Sequence, residues 1–171
     1  MIKKYFFAAL MFIATATAVA QSPYVSLKDA SHPEQHILNG IITKYALQND
    51  SSYKWYGSSQ SSYAPAEAVV TAMQAASGKL QFIIFGGTWC EDTQFILPKF
   101  FKLQEQSSFP DAGISFFAVD RSKKTIGGIA DGFKIINVPT IIVMKDGKEM
   151  GRVVEYGKTG QWDKDLAELL K

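Results

Sequence analysis

Phe82-Ile83-Ile84-Phe85-Gly86-Gly87-Thr88-Trp89-Cys90-Glu91-Asp92-Thr93 is the stretch on which the reading of this chain turns. From Leu80 to Phe85 the residues are β-branched, aromatic and almost uniformly apolar, which fits a short strand covered by helices on both faces. Gly86 and Gly87 leave the strand. From Glu91 to Leu103 the apolar residues Phe95, Ile96, Phe100 and Leu103 recur at helical spacing, so Cys90 stands where a central strand turns into a helix.

Toward the C-terminus, Ile114 to Asp120 reads as another apolar strand, followed by a loop to Gly128 and a short helix from Ile129 to Phe133. Strands over Thr140 to Met144 and Glu149 to Glu155 are joined through Lys145-Asp146-Gly147-Lys148, and Asp-Gly between β-rich runs is the strongest short hairpin signal. Trp162, Leu166, Leu169 and Leu170, set against Asp163, Lys164, Asp165 and Glu168, make a closing amphipathic helix. Toward the N-terminus, Ala68, Val69, Met73 and Ala76 give a helix from Pro65 to Ala76 one apolar face. A Ser-rich loop (Ser58, Ser59, Ser61, Ser62) and a short strand over Tyr53 to Tyr56 precede it. Ser31-His32-Pro33-Glu34 carries a helix start, with Ser31 as cap, Pro33 in the first turn and Glu34 at the capping-box position. Ile37, Ile41, Ile42 and Tyr45 follow at helical spacing, which predicts a helix from His32 to Leu47. The order of elements calls for an α/β sandwich, parallel strands first and an antiparallel hairpin last.

With 47% hydrophobic and 20% charged residues, the 171-residue chain has material for one core and lacks the composition of disorder. Lys3 and Lys4 precede an apolar run from Tyr5 to Ile13 and small residues ending Ala18-Val19-Ala20. That is the pattern of a secretory signal peptide over residues 1–20, cleaved before Gln21. A retained anchor needs about 18 to 20 strongly apolar residues, and here the run dissolves into Ala and Thr after Ile13. Cleavage removes two lysines and leaves 16 basic against 16 acidic side chains, a balance that implies neither nucleic acid nor an anionic membrane surface as partner. Cys90 is the single cysteine. In an oxidising compartment, any disulfide it forms is intermolecular.

The order and spacing of these features resemble thioredoxins. Phe82 to Phe85 followed by Trp89-Cys90 is similar to the strand and W-C dipeptide of that family, and Pro98 lies eight residues beyond Cys90, where thioredoxins bend the active-site helix. Val138-Pro139-Thr140 resembles the cis-proline segment, and Lys145-Asp146-Gly147-Lys148 with Gly157 the closing hairpin. The resemblance covers residues 53–171 and implies a thioredoxin-like three-layer sandwich, a mixed central sheet flanked by helices, with residues 21–52 as an extra N-terminal helical extension. Two departures stand out. Thr93 replaces the second cysteine of W-C-x-x-C, and Ile84 stands where thioredoxins bury an aspartate. W-C-E-D-T resembles an exported subgroup with one active-site cysteine. This implies a periplasmic monomer, free of the membrane after cleavage, that acts on protein or small-molecule thiols and disulfides without a cofactor.

A cysteine at a helix N-terminus faces free backbone N–H groups and the positive end of the dipole, which favour thiolate; Glu91 and Asp92 oppose it. The thiolate can attack a disulfide, but no second thiol stands three residues on to resolve the product. The resemblance puts Trp89, Val138, Pro139 and Thr140 around the sulfur as substrate contacts, with the Val138 backbone pairing to an extended segment. Thr93 is expected to donate its hydroxyl hydrogen to the thiolate. Two functions fit: monothiol exchange through Cys90 with an external resolving thiol, or a redox-silent binding or chaperone module using the groove around Trp89 and Pro139. A half-buried packing role for Cys90 belongs with the second.

Other candidates carry less. His32 and His36 have metal-binding spacing on a helix but no evident third ligand, so no metal is expected. Tyr53, Trp55, Tyr56 and Tyr63 form an aromatic cluster that fits a core under a loop better than a ligand surface. Asp120-Arg121-Ser122-Lys123-Lys124 reads as a solvated turn near the site face.

Overall fold

The computed structural model describes residues 22–171; the expected signal peptide lies outside them. Strands β1 (Tyr24–Lys28), β2 (His36–Ile42), β3 (Gln81–Gly86), β4 (Ile114–Ala118), β5 (Thr140–Lys145) and β6 (Lys148–Val154) form one sheet in the order β1-β2-β4-β3-β5-β6. Only β3 and β4 pair in parallel; the other neighbours are antiparallel. Helices α1 (Lys44–Gln48), α2 (Trp55–Ser61), α3 (Glu67–Ala76), α4 (Glu91–Gln106), α5 (Ile129–Gly132) and α6 (Trp162–Leu169) complete the mixed α/β architecture.

Side chains alternate across β3, which explains why its sequence is apolar at nearly every position. Phe82 and Ile84 enter the larger core with Phe100 and Leu103 of α4, Met73 of α3 and Leu166 of α6. Phe85 points the other way, into a smaller core with Phe117, Val119, Ala130, Val138 and Ile142. Ile84 is fully buried. The β5–β6 turn is as expected: Asp146 and Gly147 both have positive φ (50° and 75°), as a two-residue hairpin turn of matching twist requires.

The helix expected from His32 to Leu47 is instead the loop and second strand of a hairpin, with only α1 helical. The expectation failed at Gly40, whose φ of +124° belongs to no helix. A Cβ there would lie 2.8 Å from Tyr24 Cα, so the missing side chain is what lets β1 approach. The isoleucines that mimic helical spacing are β-branched residues on a strand flanked by β1 and β4. His36 therefore lies on β2 and His32 in the preceding loop, not on one helical face. Consequently the first strands are antiparallel, not parallel.

The strand expected over Tyr53 to Tyr56 is also corrected: Trp55 and Tyr56 open α2, which packs on α4. The serines taken for a loop are held in it by back-bonding, Ser58 Oγ donating to Trp55 O (3.2 Å) and Ser61 Oγ to Ser58 O (2.9 Å). Tyr53 and Tyr56 are core residues, and burial pushes the Tyr53 hydroxyl up to about 12.

Candidate active site

Cys90 is the N-cap of α4, half-buried, with extended backbone, and Glu91 and Asp92 occupy the first helical turn. Its N–H donates to Gly87 O (2.9 Å), closing a tight turn out of β3. The thiol donates to Val138 O at 3.2 Å. The Val138–Pro139 peptide bond is cis, and Thr140, buried, donates its hydroxyl to Asn137 O (2.7 Å). Trp89, Cys90, Val138, Pro139 and Thr140 are therefore brought together at one end of the sheet.

Two expectations about this cluster change. Thr93 is buried inside α4, and its Oγ1 accepts from Gly87 N–H (3.2 Å), so it braces the loop backbone instead of reaching the sulfur. The Val138 backbone, expected to pair with an extended segment, has its carbonyl holding the thiol. Beside these groups, Phe95 and Tyr156 pack ring to ring (5.8 Å between centroids) yet stay exposed, and Ile136, two residues before Val138, is 77% exposed. Burial and the neighbouring Asp92 carboxylate hold the Tyr156 hydroxyl above its usual range.

Three contributors escaped the sequence reading. Thr88 stands in for a strand where β4 has ended: it accepts from Leu38 N–H (3.3 Å) and donates to His36 O (2.8 Å), tying the site loop to β2. Arg121 stands in the exposed turn expected over residues 120–124, and from there its guanidinium forks onto the buried Asp29 carboxylate and lies 5.3 Å from the Trp89 ring centroid. Asp29 sits in the β1–β2 loop, where no local pattern marks it; only partners distant in sequence reveal it. His32 Nδ1 approaches the same carboxylate at 3.8 Å, and His36 Nδ1 meets Ser26 Oγ at 3.2 Å. Among the described residues no three His, Cys, Asp or Glu side chains gather in a metal-binding group.

The Arg121 hydrogen bond holds the Asp29 carboxyl below the usual carboxylate range, against the opposing effect of burial. A carboxyl with a lowered folded value stabilises the fold above its unfolded value and loses that contribution as pH falls. Thermal melts of the native chain and of Asp29→Asn are therefore expected to differ at pH 7, with the difference beginning to shrink only as pH falls below about 4.

A family model described as Thioredoxin matches residues 67–168. Thioredoxin-1 of Saccharomyces cerevisiae is 33% identical over 79 residues, 46% of this chain and 71% of the relative. Thioredoxin H2-2 of Oryza sativa subsp. japonica is 35% identical over 83 residues, 48% of this chain and 58% of the relative. Thioredoxin-like protein R548 of Acanthamoeba polyphaga mimivirus is 29% identical over 90 residues, 53% of this chain and 63% of that protein. The chain thus matches less than two thirds of the length of two of these three relatives. Among solved structures, an HIV epitope-scaffold shares the fold with a TM-score of 0.51 at 16% identity, over 72% of this chain and 86% of that one. With a strand-to-helix cysteine whose thiol faces Val138 O, and a family match over more than half its length, this chain belongs to the thioredoxin family.

Proposed function

We propose that this protein is an exported, monothiol member of its family, exchanging disulfides through Cys90 with a resolving thiol supplied from outside. The observation that carries this reading is the Cys90 thiol at the N-terminus of α4, 3.2 Å from Val138 O, with buried Thr93 where a resolving cysteine would stand. In the first step the Cys90 thiolate attacks one sulfur of a disulfide R–S–S–R′. A Cys90–S–S–R bond forms, the original S–S bond breaks, and R′S⁻ leaves to take a proton from water. An external thiolate then attacks the mixed disulfide, releases R joined to itself and restores Cys90. Loss of the thiol proton frees Val138 O to accept a backbone N–H of an extended substrate. Residues 1–20 serve as the export signal, to a periplasm, and the chain works as a monomer on protein or small-molecule thiols and disulfides.

Incubation of the mature chain with excess glutathione disulfide tests this. The expected product is one glutathione adduct on Cys90, seen by intact mass, that persists on dilution and disappears only when an external thiol is added. An unmodified mass after long incubation at pH 8 would overturn the reading.

A second reading has its own support in the exposed Phe95, Ile136 and Tyr156 beside the cysteine. These give the groove apolar surface for holding extended chain without redox turnover.

A further inference from the structure

Asp29 is a carboxylate with 1% of its surface exposed, and burying such a group is costly unless it is paired and hydrogen-bonded. Here it is both. Oδ1 accepts from Ser31 N–H (2.9 Å) and Arg121 Nε (3.2 Å), and Oδ2 accepts from Arg121 Nη2 (2.5 Å). A two-point fork fixes the plane of a guanidinium in a way a single contact does not. The fixed guanidinium lies against the Trp89 ring, which also donates from Nε1 to Val119 O (3.0 Å) and covers Gly87 so closely that a Cβ there would meet the indole at 2.6 Å. The next residue is Cys90. Thr88, on the other side of Trp89, is tied to β2. Both links run to the N-terminal hairpin, which lies outside the residues that match the family model.

We propose that Asp29 and Arg121 are positioning residues for Cys90. The hairpin loop holds the Trp89 ring through this ion pair and so governs how far the thiol is presented to a reactant. The inference rests on Cys90 as the reacting group. It predicts a path from residue 29 to residue 90 that a surface ion pair of purely structural effect would not have, since exposed pairs contribute little.

The test compares the full chain with Arg121→Ala, Asp29→Asn, the double variant and Arg121→Lys. One readout is solvent exchange of the Trp89 indole N–H by NMR, with the buried Trp55 indole N–H as internal reference. The other is the rate of Cys90 alkylation by iodoacetamide. Arg121→Ala is expected to speed Trp89 exchange about tenfold and alkylation about threefold, with Trp55 unchanged. Asp29→Asn should act in the same direction, and the double variant should exceed the larger single effect little, because both remove one device. Arg121→Lys, which keeps the charge and loses the fork, should fall between. Unchanged Trp89 exchange and unchanged alkylation in Arg121→Ala overturn the proposal, as does equal acceleration at Trp55, which would mean general loosening. If Cys90 forms no mixed disulfide in any variant, the exchange reading fails, while the indole exchange and the ratio of alkylation rates still decide this proposal.

Discussion

Cys90→Ser is expected to abolish mixed-disulfide formation completely and to leave the fold in place. The hydroxyl is smaller and can make the same hydrogen bond to Val138 O, so the cap position of α4 loses no partner, and serine is itself a preferred N-cap residue. The cost in stability should stay below about 1 kcal/mol. What disappears is the nucleophile: an alcohol at neutral pH does not attack a disulfide sulfur, and no other cysteine is present to replace it. Intact mass after incubation with glutathione disulfide, together with a thermal melt, reads both halves of this expectation. The same variant separates the two functions. Full retention of biological activity would sink the exchange reading and move attention to the exposed apolar side chains Phe95, Ile136 and Tyr156.

The largest expected loss of stability comes far from the thiol. Gly40→Ala should destabilise the protein by about 3 kcal/mol, from two additive causes. The backbone at residue 40 has φ +124°, a region that costs any residue with a Cβ of order 1–3 kcal/mol. The new methyl would fall on Pro23 O and lie 2.8 Å from Tyr24 Cα, backbone atoms that cannot turn aside as a side-chain tip would. Relief requires β1 to lift from β2, and the β1–β2 loop carries Asp29. Urea denaturation measures the stability, and hydrogen exchange over residues 24–28 measures the lifting. An unfolding free energy unchanged within about 0.5 kcal/mol would show that β1 does not lie on β2 in this register.

Much of the domain was legible because its signals are local. The apolar run at β3, the Asp-Gly turn between β5 and β6, the amphipathic face of α6 and the helix starting at Glu91 each depend on residues within a few positions of one another. The same holds for Cys90 at the strand-to-helix junction. The first third of the chain misled because Ile37, Ile41, Ile42 and Tyr45 fall at helical spacing although His36–Ile42 is a strand, and a short apolar run does not say which neighbour will cover it. Serines in α2 gave the opposite error: their preference for turns was overridden by packing against α4 and by hydrogen bonds back along the helix.

The order of residues alone places the one thiol and the strand that leads into it. What surrounds that thiol was set by long-range packing. Thr93 turned from the sulfur to the Gly87 amide, the Val138 carbonyl took the thiol, and Asp29 met Arg121 across 92 residues to hold Trp89. The reason is physical: periodicity and turn chemistry are properties of neighbours in the chain, whereas a buried charge finds its partner only after the sheet has brought distant loops to one end.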